Sequence, residues 1–337
     1  MRHLYFLLFI VTTFDALAQQ KPQYTQYLFN NYVLNPALAG IENYIDCKAG
    51  YRTQWTGLDG APVTQYFSIQ GPIGKDDLTS SVTSFGGQEA NPLSRSYVPN
   101  YQASDPHHGI GMHAVFDKAG PISRIDVNGT YAYHLGLSAK TNLALGLAVG
   151  ISAVTLDRNK IRLEEDDDLA IPPYLKTHIK PDLSMGLWLY GPLYFVGLSG
   201  QQLLRQRASF SNESSQKYQQ GKYKNHYFLT AGYKFFLSEG ISAIPSVMFK
   251  HVSPVPISCD ANVKFSFQDK FWLGGSYRHK DSFSGMLGFY LSNLCNISYS
   301  YDLTLSNLGS VNKGTHEIIL GILLDNTYNV VCPQRNW

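Results

Sequence analysis

The sequence predicts an all-β chain whose strands close into a transmembrane antiparallel β-barrel of about 14 strands. Three observations carry that expectation. Hydropathy alternates with period two along most of the chain, the composition combines few charges with many Tyr and Gly, and the N-terminus reads as an export signal.

The 337 residues are 44% hydrophobic, 13% aromatic and 15% charged, with 29 Gly, 23 Tyr and 18 Phe. Charged content lies well below the ~25% of a typical soluble protein. The mean hydropathy of −0.16 is too low for a bundle of membrane helices. A barrel accounts for both values, because apolar and polar residues alternate and cancel in any average. Plentiful apolar side chains exclude disorder. A formal net charge of +2 offers no basic surface, so no nucleic-acid partner is expected.

Arg2 and His3 precede the apolar run Leu4 to Phe14, and Ala16-Leu17-Ala18 supplies a cleavage pattern before Gln19. Residues 1–19 are therefore expected to be a secretory signal peptide, too short in its apolar part to span a bilayer. Export permits disulfides, but Cys47, Cys259, Cys295 and Cys332 allow three pairings, and their spacing is too wide for a zinc knuckle.

The clearest strand is Arg124 to Leu135. Ile125, Val127, Gly129, Tyr131, Tyr133 and Leu135 fall on one face, and Arg124, Asp126, Asn128, Thr130, Ala132 and His134 on the other. The next run alternates Leu143, Leu145, Leu147, Val149 and Ile151 with Asn142, Ala144, Gly146, Ala148, Gly150 and Ser152. Segments at 44–52, 62–70, 108–117, 122–135, 142–157, 182–190 and 193–200 form the first half of the expected barrel. The second half is expected at 225–237, 241–251, 257–268, 270–279, 283–291, 294–302 and 315–324. Short connections at 136–141, 190–192, 237–240, 268–270 and 292–293 are expected on the periplasmic side, and the longer polar stretches 158–181, 201–224 and 303–314 on the outer side. Residues 71–107 break that rule by being long on the short-turn side. A propeller would show a repeat of roughly 40–50 residues, which is absent, and a sandwich would not need Tyr on its apolar face near strand ends.

The charged face is expected to line a lumen, because full charges are expensive in a closed core. It carries Lys48, Arg52, Arg124, Lys234, Lys264 and Arg278 with Asp46, Asp126, Asp260 and Asp302. Mixed signs indicate cross-strand pairing rather than an ion-selective pore. About fourteen strands cannot fill their own interior, so water, an inserted loop or the N-terminal segment must occupy it. The small lumen-side residues of the fifth strand leave room for such a filling.

Catalytic and metal motifs are nearly absent. No G-x-S-x-G occurs, and Ser214 to Lys217 and Ser310 to Lys313 match S-x-x-K without its partner motifs. His107 and His113 share a strand face but sit ~20 Å apart, and His108 points the other way. The run Glu164 to Asp168 lacks the ligand spacing of a Ca²⁺ loop. No cofactor, metal or catalytic residue is expected.

Residues 23–75 carry a resemblance. Gln23-Tyr24-Thr25-Gln26-Tyr27-Leu28-Phe29-Asn30 leads into Asn35-Pro36-Ala37-Leu38-Ala39-Gly40, then Tyr51-Arg52-Thr53-Gln54-Trp55-Thr56-Gly57 and Gly60-Ala61-Pro62-Val63-Thr64. These motifs, with Gly109-Ile110-Gly111 and Asp117 to Pro121, resemble the PorP/SprF outer-membrane proteins of the type IX secretion system of Bacteroidota. The stretch Asp76 to Pro106 is longer than that pattern usually has.

The resemblance implies a non-enzymatic part in type IX protein secretion and, in some species, gliding motility. It implies an anchor or adaptor in the lipid and lipopolysaccharide outer membrane, with periplasmic ring components, the translocon or a secreted adhesin substrate as partners. The expected organisation is a periplasmic N-terminal segment at 20–43, the barrel at 44–325 and a periplasmic tail at 326–337. Tyr24, Gln26, Tyr27, Asn35, Pro36 and Gly40 are the candidate partner contacts, because the stretch Gln23–Gly40 is aromatic, uncharged and expected outside the barrel. Asn35-Pro36 favours a turn and Gly40 a positive φ. Arg52, Gln54, Trp55, Arg124 and Asp126 are the candidate lumen and hairpin residues, with the Arg52 fork suited to clamp a carboxylate. Loops 158–181 and 201–224 offer a second surface, for secreted substrate. A passive diffusion porin and an outer-membrane hydrolase are the alternatives.

Overall fold

A computed structural model describes residues 25–27, 29–74, 101, 103–157, 160–161, 176–204, 207–208, 221–222, 224–238, 240–267, 270–292 and 294–325. The expected signal peptide, Tyr24, the acidic run Glu164 to Asp168, Ser214, Lys217, Cys332 and the tail 326–337 lie outside them.

Among the described residues, fourteen antiparallel strands form one closed barrel. They are β1 (Ile45–Thr53), β2 (Val63–Ile73), β3 (His107–Ala119), β4 (Ile122–Ser138), β5 (Thr141–Leu156), β6 (Lys176–Tyr190) and β7 (Tyr194–Gln201). There follow β8 (His226–Tyr233, continued by Phe235–Phe236), β9 (Ile241–Val252), β10 (Val255–Phe267), β11 (Phe271–Arg278), β12 (Ser282–Tyr290), β13 (Cys295–Thr304) and β14 (Thr315–Leu324). Each strand pairs with its sequence neighbours, and β1 pairs with β14 from Ile45 opposite Leu324 to Thr53 opposite His316. Closure leaves no open strand edge.

The strands follow the alternation read from the sequence, usually to within two or three residues. The main exception is β6, which begins at Lys176 rather than near 182. Its first residues, Lys176 to Lys180, lack clean alternation but pair with Leu156 to Ser152 on β5.

Burial is inverted relative to a soluble protein. On β5 Leu145, Leu147, Val149 and Ile151 are 40–57% exposed on the outside, whereas Ala144 and Ala148 are fully buried inside. On β4 the inward row is Arg124, Asp126, Asn128, Thr130, Ala132 and His134, all buried. Such an apolar outer face suits acyl chains, and a polar inner face needs hydrogen-bond partners within the lumen.

The barrel has two ends. At the terminal end β1 begins beside the finish of β14. At the far end β1 turns into β2 through residues 54–62. The long β2–β3 connection leaves from the terminal end. Its last part returns past the barrel mouth, where Asn142 donates to the Tyr101 hydroxyl at 2.9 Å and the Ala103 N–H to the Ala139 carbonyl at 2.9 Å.

The N-terminal segment departs from expectation. It does not lie outside the barrel. From Thr25 to Tyr44 its described residues run along the lumen, from the level of Arg52 near the far end to the level of Asp46 near the terminal end. Gln26 and Tyr27 are 1% and 2% exposed, and Asn35, Pro36 and Gly40 are buried with them. The physical reason is the interior volume of so wide a barrel. A segment rich in Tyr and Asn, with Glu42 as its one charge, fills it and satisfies the polar wall at the same time.

The plugged lumen as candidate functional site

The segment is held at three levels. At the far end, Arg52 on β1 forks between two acidic side chains, with Nη2 3.0 Å from Asp302 Oδ2 and Nη1 2.9 Å from Glu317 Oε2. All three are almost completely buried. The same cluster grips the chain: Arg52 Nη1 donates to Thr25 Oγ1 at 2.6 Å, and that hydroxyl donates to Asp302 at 2.5 Å. The Thr25 N–H donates to Glu317 Oε2 at 3.0 Å, and the Tyr66 hydroxyl donates to Oε1 at 2.9 Å. Gln26 completes the grip, donating to the Glu317 carbonyl and accepting from Ser298. Charge-assisted bonds of this kind are about twice as strong as neutral ones.

At mid-height the contacts are aromatic and amide. The Asn262 amide donates to the Tyr27 hydroxyl. Tyr27 and Leu34 pack on Phe228 and Met248 of the wall. Phe29 lies 6.0 Å from Trp272, and Asn30 donates to Ser68 at 3.1 Å. Tyr32 meets His113 edge-on at 5.7 Å. Gln201 and Ser199 on β7 donate to the carbonyls of Val33 and Leu34.

Toward the terminal end the fit is steric. Asn35 caps a short turn at Pro36–Leu38, accepting from the Ala37 N–H at 3.0 Å, while its amide donates to the Leu187 carbonyl at 2.9 Å. A Cβ on Gly146 would lie 2.2 Å from the Ala37 nitrogen, and one on Gly186 would lie 1.9 Å from Asn35 Oδ1. Only glycine at these positions lets the turn touch the wall. His134 donates through Nε2 to the Ala39 carbonyl at 2.7 Å and accepts from the Tyr190 hydroxyl at 3.1 Å. Gly40, at φ 75°, donates to Gln70 at 2.6 Å.

The remaining candidates occupy separate places. Arg124 and Asp126 pair at 2.9 Å on β4, away from the Arg52 cluster. Gln54 and Trp55 belong to the β1–β2 hairpin, where the Gln54 N–H bonds the Pro62 carbonyl at 2.9 Å and Trp55 takes φ 53°. Ser310 donates to the Asn307 carbonyl, and the Lys313 N–H to that of Thr56, so this S-x-x-K is part of the β13–β14 turn. Cys47, Cys259 and Cys295 are free thiols.

The sequence reading missed Glu317, Gln70 and Trp188 as lumen contacts, whereas His134 stood on the face it assigned to the lumen. Glu317 had a usable signal, being a lone charge within an apolar strand. Period two is blurred there because Ile319, at 0% exposure, faces inward onto Val33 of the plug.

The family model for the type IX secretion system membrane protein PorP/SprF matches residues 16–322. The chain belongs to the PorP/SprF family. The N-terminal motifs that resemble PorP/SprF proteins meet inside the lumen, where Gln26 and Thr25 contact the cluster of Arg52. Among solved structures, the toluene transporter TbuX of Ralstonia pickettii superposes with a TM-score of 0.50 at 10% identity, over 88% of this chain and 93% of that one. The outer membrane protein Omp33 of Acinetobacter baumannii gives 0.43 at 9% identity, over 85% and 99%. These likenesses concern the barrel fold alone. No curated protein matches the chain.

Proposed function

We propose that this PorP/SprF protein is a non-enzymatic anchor or adaptor of the type IX secretion machinery, exported through its signal peptide and seated in the outer membrane. In this reading its terminal end faces the periplasm and its far end the cell surface. Secreted substrate or periplasmic ring proteins are its partners. The observation that carries the proposal is the filled lumen. A segment of the same chain, clamped by Arg52, Asp302 and Glu317, occupies the space that solute would cross. That weighs against an open diffusion porin and leaves the outer rims of the barrel as working surfaces. The long connections 157–175 and 202–225 at the far end are the surface proposed for secreted substrate.

Affinity purification of the full chain from native outer membranes tests this. Ring or translocon proteins of the type IX system should co-purify, and should be lost when rim connections are exchanged while the barrel stays folded. Steady conductance in planar bilayers with no type IX partner in the eluate would overturn the reading in favour of a porin.

A further inference from the structure

Two places on the outer surface of the barrel share one arrangement. At the terminal end, His108-Gly109-Ile110 on β3 lies against Tyr131-Ala132-Tyr133 on β4, with His108 opposite Tyr133 and Ile110 opposite Tyr131. At the far end, His316-Glu317-Ile318 on β14 lies against Tyr299-Ser300-Tyr301 on β13, with His316 opposite Tyr301 and Ile318 opposite Tyr299. Each histidine touches both tyrosines. Nδ1 of His108 is 2.7 Å from the Tyr131 hydroxyl, and Nδ1 of His316 is 2.7 Å from that of Tyr299. The ring of the directly opposite tyrosine stands 5.1 Å away in both places.

Strand parity puts both arrangements outside the lumen. His108 heads the outward row Ile110, Met112 and Phe116, and His316 heads the row Ile318, Leu320, Ile322 and Leu324, all of them 41–48% exposed. Each histidine thus closes the apolar belt, one at either end of the barrel, at the level of bilayer headgroups. The tyrosine it bonds sits two residues further into the belt, where hydrocarbon would leave its hydroxyl without a partner. The phenol is the stronger acid, so it donates to Nδ1 and the imidazole proton stays on Nε2. Nε2 of neither ring makes a hydrogen bond among the described residues, and neither is enclosed. Each site therefore holds one unused N–H donor, fixed in direction by two tyrosines. His251 on β9 is also outward and exposed, but no tyrosine is bonded to it or stacked on it among the described residues.

We infer that both sites bind the phosphate of a membrane lipid, through Nε2–H of His108 in one leaflet and Nε2–H of His316 in the other. An N–H donated to an anionic oxygen is among the stronger hydrogen bonds. The apolar row that continues from each histidine supplies the surface for the acyl chains of the same lipid. The inference rests on the placement of the barrel in the outer membrane, and is independent of which end faces the periplasm and of any protein partner.

Full-length protein in nonionic detergent tests it. The side-chain ¹⁵N resonances of His108 and His316, assigned by their absence in His108→Phe and His316→Phe, should shift saturably on titration with dimyristoylphosphatidylglycerol. Dimyristoylglycerol has the same chains without the phosphate and should bind about ten-fold more weakly, or ~1.4 kcal/mol. Inorganic phosphate at equal concentration should shift neither resonance, and His251 should not respond to any of the three. Tyr131→Phe should weaken the response of His108 alone, and Tyr299→Phe that of His316 alone. No shift, an equal response to both lipids, a matching response to inorganic phosphate or from His251, or no change in both tyrosine variants would overturn the inference. Because no secretion protein is present, failure here is distinguishable from failure of the anchor reading, which co-purification tests.

Discussion

The two ends of the lumenal segment are held by different physics. Thr25 and Gln26 are fixed by charge, through one guanidinium and two carboxylates on β1, β13 and β14. Pro36 and Ala37 are fixed by shape, on glycines of β5 and β6 that leave no room for a side chain. A charge cluster depends on every member, because removing one strands the others unpaired in a buried place. A steric cradle tolerates loss of single contacts but fails when atoms are added. The plug should therefore respond to deletion at one end and to enlargement at the other.

The largest effect should follow from Arg52→Ala. It leaves Asp302 and Glu317 buried without their cation, at a penalty of about 3–5 kcal/mol. Protease added to detergent-purified protein should cut the N-terminal segment more than a hundred-fold faster, since cleavage tracks the open population at about ten-fold per 1.4 kcal/mol. Arg52→Lys sharpens the point: it keeps the charge but loses the fork, and should recover only part of the protection.

Gly146→Leu comes next. Its side chain would meet the Ala37 backbone, and overpacking of this kind costs roughly 1–3 kcal/mol. Planar-bilayer recordings should show new conductance as the segment leaves the lumen. Wild-type-like silence would mean that the cradle yields.

Asn35→Ala removes a cap and the bonds to β6 and β7, and a lost cap costs about 1 kcal/mol. Proteolysis of the segment should rise several-fold. Ser68→Ala deletes only the partner of Asn30 at mid-height, at about 0.5–1.5 kcal/mol. Its effect in the same assay should be the smallest of the series.

Much of the barrel was legible because one face of each strand is apolar and the other polar, as in β4 and β5. Lumen orientation of Arg52, Arg124 and Asp260 followed from parity alone. The alternation fails where the plug supplies an apolar partner from inside, as at Ile319 on β14, which packs with Val33. The location of the segment was harder. Its Tyr, Asn and Gln suit a protein interface and a polar lumen equally, and nothing local distinguishes them. The hint lay elsewhere, in the small lumen-side residues Ala144 and Gly146 of β5, whose missing volume the turn at Pro36–Leu38 occupies. Reading it required both halves of the contact, which lie more than a hundred residues apart.

The central claim is that the chain closes its own barrel. Asn30 and Ser68 touch across the lumen at 3.1 Å, one on the plug and one on β2. With Cys47, Cys259, Cys295 and Cys332 replaced by Ser, the pair Asn30→Cys and Ser68→Cys should join through a short thiol–thiol cross-linker in native membranes. Mass spectrometry should then find the two peptides linked in most molecules. Both thiols labelled separately, with no linked peptide, would place the segment outside the lumen and contradict the account.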